Sequence, residues 1–183
     1  MTCRTLTVVH GKSELIFCRG IASNLKISIE CDSENGGKTS IQIPHLTERL
    51  STGSFESETS LHKKFGDLEY LKGKHIKMPN LKIFPIMDTG ENPMYERSYK
   101  TGNMFRTSVF WNNIIPIFNT PNLDEVLISC GFKIDAREKI RSYHALVNEY
   151  ELSDFIDGLK NCENTNLPVF LGHCASIAPN YQT

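Results

Sequence analysis

Residues 81–88, LKIFPIMD, constrain the fold more than any other stretch of this 183-residue chain. Leu81, Ile83, Phe84, Ile86 and Met87 make a nearly continuous apolar run, the pattern of a strand inside a core. The run breaks at Asp88 and is followed by Thr-Gly-Glu-Asn-Pro, residues that turn a chain toward solvent. The same plan recurs near the start. Residues 5–9, TLTVV, are β-branched and apolar, then the chain turns at Gly11 and reaches Glu14. A core strand thus delivers a carboxylate to its exit point twice.

Helical patterns fill the intervals. Ser13 can cap a helix over residues 13–25, where apolar spacings of three and four recur despite Gly20. Residues 26–30, KISIE, read as a second strand, and Gly36-Gly37 mark a turn-rich loop. A helix is expected to enter near Pro44, and residues 54–65 look polar and helical. Pro93 opens a helix that the pattern carries over residues 93–110, interrupted at Gly102. Residues 113–119 read as a short strand, with Pro116 suggesting an edge. A helix then starts at Pro121 or Asn122 and stops at Gly131.

Strand and helix alternate to about residue 131, which predicts an α/β fold: a mostly parallel sheet flanked by helices, of Rossmann-like type. Residues 1–131 form that domain, and residues 132–183 read as a small helical C-terminal extension packed on it. No internal repeat is found. Right-handed crossovers place the strand C-terminal ends on one edge, where such sheets hold their sites. Residues 10–14 and 88–91 are expected to meet there.

Composition narrows the classes. Hydrophobic content of 39% and charged content of 22% are ordinary for a globular domain, and the net charge of −1 rules out a strongly basic coat but not a local basic groove. No stretch is apolar for long enough to span a membrane, and the N-terminal run is too short for a signal peptide. The six cysteines are scattered without a C-x-x-C pair, the pattern of reduced thiols in a cytoplasmic protein.

Two carboxylates brought together at a strand edge repel unless a proton or a cation stands between them. Oxygen ligands suit Mg²⁺ or Mn²⁺, and such an ion can hold a phosphate. Glu14, in the first helical turn, can serve as ligand or as acid/base partner, with Asp88 as the principal ligand and Glu91 as an auxiliary one. Lys12 and Lys38 are candidates for phosphate contact. Asp124 and Glu125, opening the helix after the next strand, are favourable at a helix N-terminus for ordinary dipole reasons.

The order of strand, HGKSE, helix, strand, and later strand with MDTGE resembles the Toprim domain of topoisomerases, primases, small ribonucleases and OLD-type nucleases. Glu14 matches that family's glutamate and Asp88 the first aspartate of its Asp-x-Asp motif, and Asp124 and Glu125 lie where its OLD-type members often place a further acidic ligand, which implies a possible auxiliary acid there. The small bacterial Toprim proteins associated with phage defence are also similar in ENGGKTSIQI and PNLDEVL. The likeness covers about residues 5–130. It implies divalent-metal-dependent phosphodiester chemistry, nuclease-like, on DNA or RNA, with catalysis by Glu14 and Asp88 and metal held by Glu14, Asp88 and Glu91. One departure stands out: the second aspartate falls on Gly90. That favours the alternative of a catalytically degenerate module that binds nucleic acid, a nucleotide or a protein partner.

Other features carry less. GKS at residues 11–13 lacks the earlier glycine of a phosphate loop, because that position is Leu6. Lys63, Lys64, Lys72, Lys74 and Lys77 form the densest basic stretch, either a solvated face or a track for a nucleic-acid backbone. Cys162, His173 and Cys174 fit no standard zinc spacing, and Phe110 and Trp111 read as core.

Overall fold

The computed structural model describes residues 3–91, 93–135 and 137–179. Four strands form one parallel sheet: β1 (Thr5–Val9), β2 (Glu30–Asp32), β3 (Lys82–Asp88) and β4 (Ile117–Asn119), in the spatial order β2-β1-β3-β4. Helices α1 (Lys12–Leu25), α2 (Ile43–Arg49), α3 (Glu58–Lys64), α4 (Pro93–Lys100), α5 (Leu123–Ser129), α6 (Lys139–Glu149), α7 (Leu152–Leu159) and α8 (Leu167–Ile177) flank it. The expected α/β fold with a parallel sheet is the fold observed.

The two apolar runs explain the layers. Side chains alternate faces along a strand, so β3 sends Phe84 and Ile86 to one side and Ile83 and Met87 to the other. β1 likewise sends Val9 to the first face and Leu6 and Val8 to the second. The first face is covered by α1, α5, α6, α7 and α8, and the second by α2, α3 and α4. Phe17, Phe84, Phe155 and Phe170 are wholly buried against the first face. Each such side chain contributes about 1.5–3 kcal/mol relative to exposure.

Sequence order runs from β1 outward to β2, then back across to β3 and β4, so the direction of winding reverses between β1 and β3. Sheets of this kind hold ligands outside the strand C-terminal ends at such a reversal. Residues 81–88 and 5–9 are therefore the two strands that flank the crevice.

Three elements depart from the sequence expectations. The second strand lies at Glu30–Asp32 and not at 26–30, because α1 ends with Lys26 in the left-handed conformation (φ 54°) and the chain needs the next residues to swing back to the sheet. The helix opened by Pro93 stops at Lys100, and Gly102 (φ 71°) leads into a separate turn. The last strand is only Ile117–Asn119, the edge position that Pro116 suggested.

Gly20 sits in the middle of α1, where glycine normally costs helix stability. A Cβ there would lie 2.5 Å from Cγ2 of Val147 in α6. The residue is small because two helices cross at that point. Among the described residues, no helix is long and apolar enough to cross a membrane.

Candidate functional site

The carboxyl edge is built from the exits of β1 and β3. His10 follows β1: its N–H donates to the Ile86 carbonyl (3.0 Å), and its own carbonyl accepts from the Ile41 N–H (2.8 Å). Its Nδ1 lies 2.9 Å from the Ile41 carbonyl, which only accepts, so Nδ1 carries the proton and Nε2 faces inward. Oδ2 of Asp88 lies 3.9 Å from that Nε2.

Glu14 reaches the same place from the first turn of α1. Its Oε2 accepts the Gly11 N–H at 2.9 Å, so the side chain caps its own helix while nearly buried. Burial, the largest influence, raises its pKa, opposed by the backbone N–H donors and by His10. Asp88 takes the Leu123 N–H on Oδ1 at 3.0 Å. That bond ties the end of β3 to the start of α5. Burial first, then the charges of Glu14 and Asp124, pushes the Asp88 carboxyl up to about 8.

Asp32, at the end of β2, makes the contrast clear. It is more deeply buried than Asp88, yet it sits between Arg49 (2.8 Å) and Lys64 (2.7 Å). Among the described residues, Asp88 has no such pair of cations.

Asp124 turns toward the cluster, and α6 meets it there. The Tyr143 hydroxyl donates to Oδ1 at 2.7 Å, and the Lys139 ammonium contacts Oδ2. Lys139 and Tyr143 also feel the charges of Glu14 and Asp88, and both have raised pKa values. For Lys139 the hydrogen bond to Asp124 is the main cause; for Tyr143 it is burial.

The remaining sequence candidates sit further out. Glu91 is exposed and accepts from Gln42 Nε2 at 3.1 Å, yet its charge is felt at Asp88. Glu125 faces solvent and accepts from Asn122 Nδ2 at 2.9 Å while its N–H is capped by Asn122 Oδ1, a helix-start role. Lys12 is exposed, with Nζ 3.4 Å from the Gly36 carbonyl, and Lys38 is exposed just beyond the same turn. Gly37 (φ 81°) lets that turn come within 3.0 Å of the Lys12 Cα, measured from a Cβ it does not have.

Gly90 is fixed by packing. Its N–H donates to the Pro121 carbonyl at 2.9 Å, and a Cβ there would stand 2.5 Å from Cβ of Pro121. An aspartate cannot occupy this position without moving the β4–α5 turn. Among the described residues, no three His, Cys, Asp or Glu side chains are grouped so as to hold a metal ion.

Comparison with protein-family models, curated proteins and solved structures finds no match.

Beside the acidic edge the surface changes sign. A groove of about 710 Å³ is lined by Arg137, Lys139, Ile140, Arg141 and His144, with Glu138 as its acid. A second groove of about 590 Å³, between α1 and α6, shares Ile140 and His144 with it and adds Lys12 and Arg19. The stretch that looked most basic in sequence lies elsewhere. Lys64 is engaged by Asp32 and Lys77 by Glu58 (3.2 Å). Residues 66–81 feed the N-terminal end of β3, where the Glu69 N–H donates to the Cys3 carbonyl, at the edge opposite the carboxylates.

His10, Lys139 and Tyr143 were not among the sequence candidates. His10 carried a weak signal, since it directly precedes Gly11 at a strand exit. Lys139 and Tyr143 come from a helix that only the tertiary fold brings to this edge.

Proposed function

We propose that this chain is a Toprim-like binding module that takes a nucleic-acid backbone beside the carboxyl edge of its sheet and does not cleave it. The packing of Gly90 against Pro121 carries the reading. At the position where the resembled family places its second aspartate, this chain has no room for a side chain. The lining of the adjoining grooves supports the choice of ligand, because Lys12, Arg19, Arg137 and Arg141 offer a run of exposed cations to phosphates. Burial and neighbouring charge hold the Asp88 carboxyl well above the ordinary carboxylate range, which lessens its repulsion of an anion passing there.

The test is fluorescence anisotropy with labelled single-stranded DNA and RNA of about 20 nucleotides in EDTA. Binding is expected without metal, weakening as salt rises, and weakening further by about tenfold in Lys12→Glu with Arg141→Glu. No binding, or binding indifferent to both substitutions, would contradict the proposal.

A second reading is supported by the convergence of Glu14, Asp88 and Asp124 at the reversal of winding. It is divalent-metal-dependent phosphodiester cleavage. Burial, and then the charges of Glu14 and Asp124, raise the Asp88 pKa, and a divalent cation bound there would offset those charges. Metal-stimulated cleavage that is lost in Asp88→Asn would favour this reading over the first.

A further inference from the structure

We infer that Ile140 and His144 form a seat for one base of a bound single strand, on the ridge of α6 that parts the two cationic grooves. The inference rests on reading these grooves as the nucleic-acid site and deepens it: the strand is held by a base as well as by its phosphates.

Both residues line both grooves. They stand one turn apart on α6, so they are neighbours on one helix face, about 5–6 Å apart at Cβ. The helix turns its other face inward, where Tyr143, Leu146 and Val147 are buried in the core. Ile140 is 53% exposed, and His144 is exposed beside it. A branched aliphatic chain and an imidazole ring together present a surface on which a flat base can lie, His being among the side chains that stack on unpaired bases. Cations stand on either side of that ridge. Lys12 and Arg19 lie along the groove toward α1, and among the described residues no carboxylate lines it. Lys12 meets the neutral Gly36 carbonyl at 3.4 Å, which leaves its charge to a ligand. On the other side, Arg137 and Arg141 line the first groove, where Glu138 is held by Arg141 at 3.1 Å. That pair is exposed at both partners, so it yields readily to a phosphate. A strand crossing from one groove to the other meets positive charge before and after the ridge, and an apolar step between. Basic grooves with a stacking surface set among them are how proteins hold single strands.

The experiment compares a labelled single strand of DNA with an abasic strand of the same length and charge, by fluorescence anisotropy in EDTA. Wild type is expected to bind the base-bearing strand about tenfold more tightly. Ile140→Ser combined with His144→Ser is expected to erase that difference and leave the abasic affinity unchanged. Both positions are exposed, which spares the core, and circular dichroism checks the fold. His144→Tyr, which keeps a stacking ring, is expected to retain the difference. A separate arm titrates adenosine monophosphate and ribose 5-phosphate into protein with labelled isoleucine methyl groups. The base is expected to move the Ile140 methyl resonance upfield by its ring current, and the sugar phosphate to leave it in place. Equal affinity of wild type for the two strands would overturn the inference and leave the functional proposal standing. A base preference that survives in the double variant would do the same. If neither strand binds, the functional proposal falls; the inference then stands on an Ile140 shift with adenosine monophosphate and is overturned without one.

Discussion

Asp88 is one atom group on which three influences meet: burial, the charges of Glu14 and Asp124, and one N–H from Leu123. Burial and like charge win, and the carboxyl is pushed up to about 8. In the unfolded chain an aspartate titrates near ~3.9. Between those two values the folded state binds more protons than the unfolded state, so stability falls as pH rises through that window. Urea midpoints measured from pH 4 to pH 8 are expected to decline in wild type. Asp88→Asn keeps the acceptor for Leu123 and removes the ionisation, so its decline is expected to be shallower and its midpoint higher at pH 8. An unchanged slope would contradict the shifted carboxyl. At Gly90 the decisive quantity is space. Gly90→Ala is expected to destabilise by about 1–3 kcal/mol through contact with Pro121, read from denaturant midpoints. A neutral or stabilising effect would mean the turn yields, and that an acid could be housed there.

Among the elements, α1 shows most plainly what the sequence disclosed and what it hid. Its span was legible, because Leu15, Ile16, Cys18, Ile21 and Leu25 follow helical spacing, but its cap was not: Ser13 was the expected cap, whereas Gly11 is the N-cap and Glu14 accepts the Gly11 N–H. The reason for Gly20 was not legible, since the partner Val147 lies more than a hundred residues away in α6. A Gly→Ala change in a helix interior normally stabilises by about 1 kcal/mol. Here Gly20→Ala is expected to destabilise by about 1–3 kcal/mol, because the new methyl meets the Val147 side chain. Adding Val147→Ala is expected to recover much of that loss, which thermal unfolding of the single and double variants checks. β3 and Asp88 were readable from residues 81–88 alone, since an apolar run ending in a turn leaves little choice. β2 was misplaced by four residues because a left-handed Lys26 leaves no pattern in the sequence. Asp124 was visible as a helix-start acid, but its partners Lys139 and Tyr143 belong to a helix whose position only packing decides.

At the scale of the whole molecule, a net charge of −1 conceals a strong local division. The carboxyl edge gathers Glu14, Asp88 and Asp124, while the neighbouring grooves gather Lys12, Arg19, Arg137 and Arg141. The C-terminal helices α6, α7 and α8 share one core with α1 and β3, so α6 is a wall of the site and not an accessory to it. On the proposed reading, an anionic chain along these grooves would pass beside carboxylates that are raised by burial, capped or paired with Lys139. The central claim, binding without cutting, is tested most directly by one gel experiment. End-labelled single-stranded DNA and RNA are incubated with saturating protein in EDTA or in Mn²⁺, and mobility and integrity are read together. The account predicts a shifted, intact strand in both buffers. Intact unshifted strand in EDTA with fragments in Mn²⁺, suppressed by Asp88→Asn, would contradict it and make the acidic edge a metal-dependent catalytic centre.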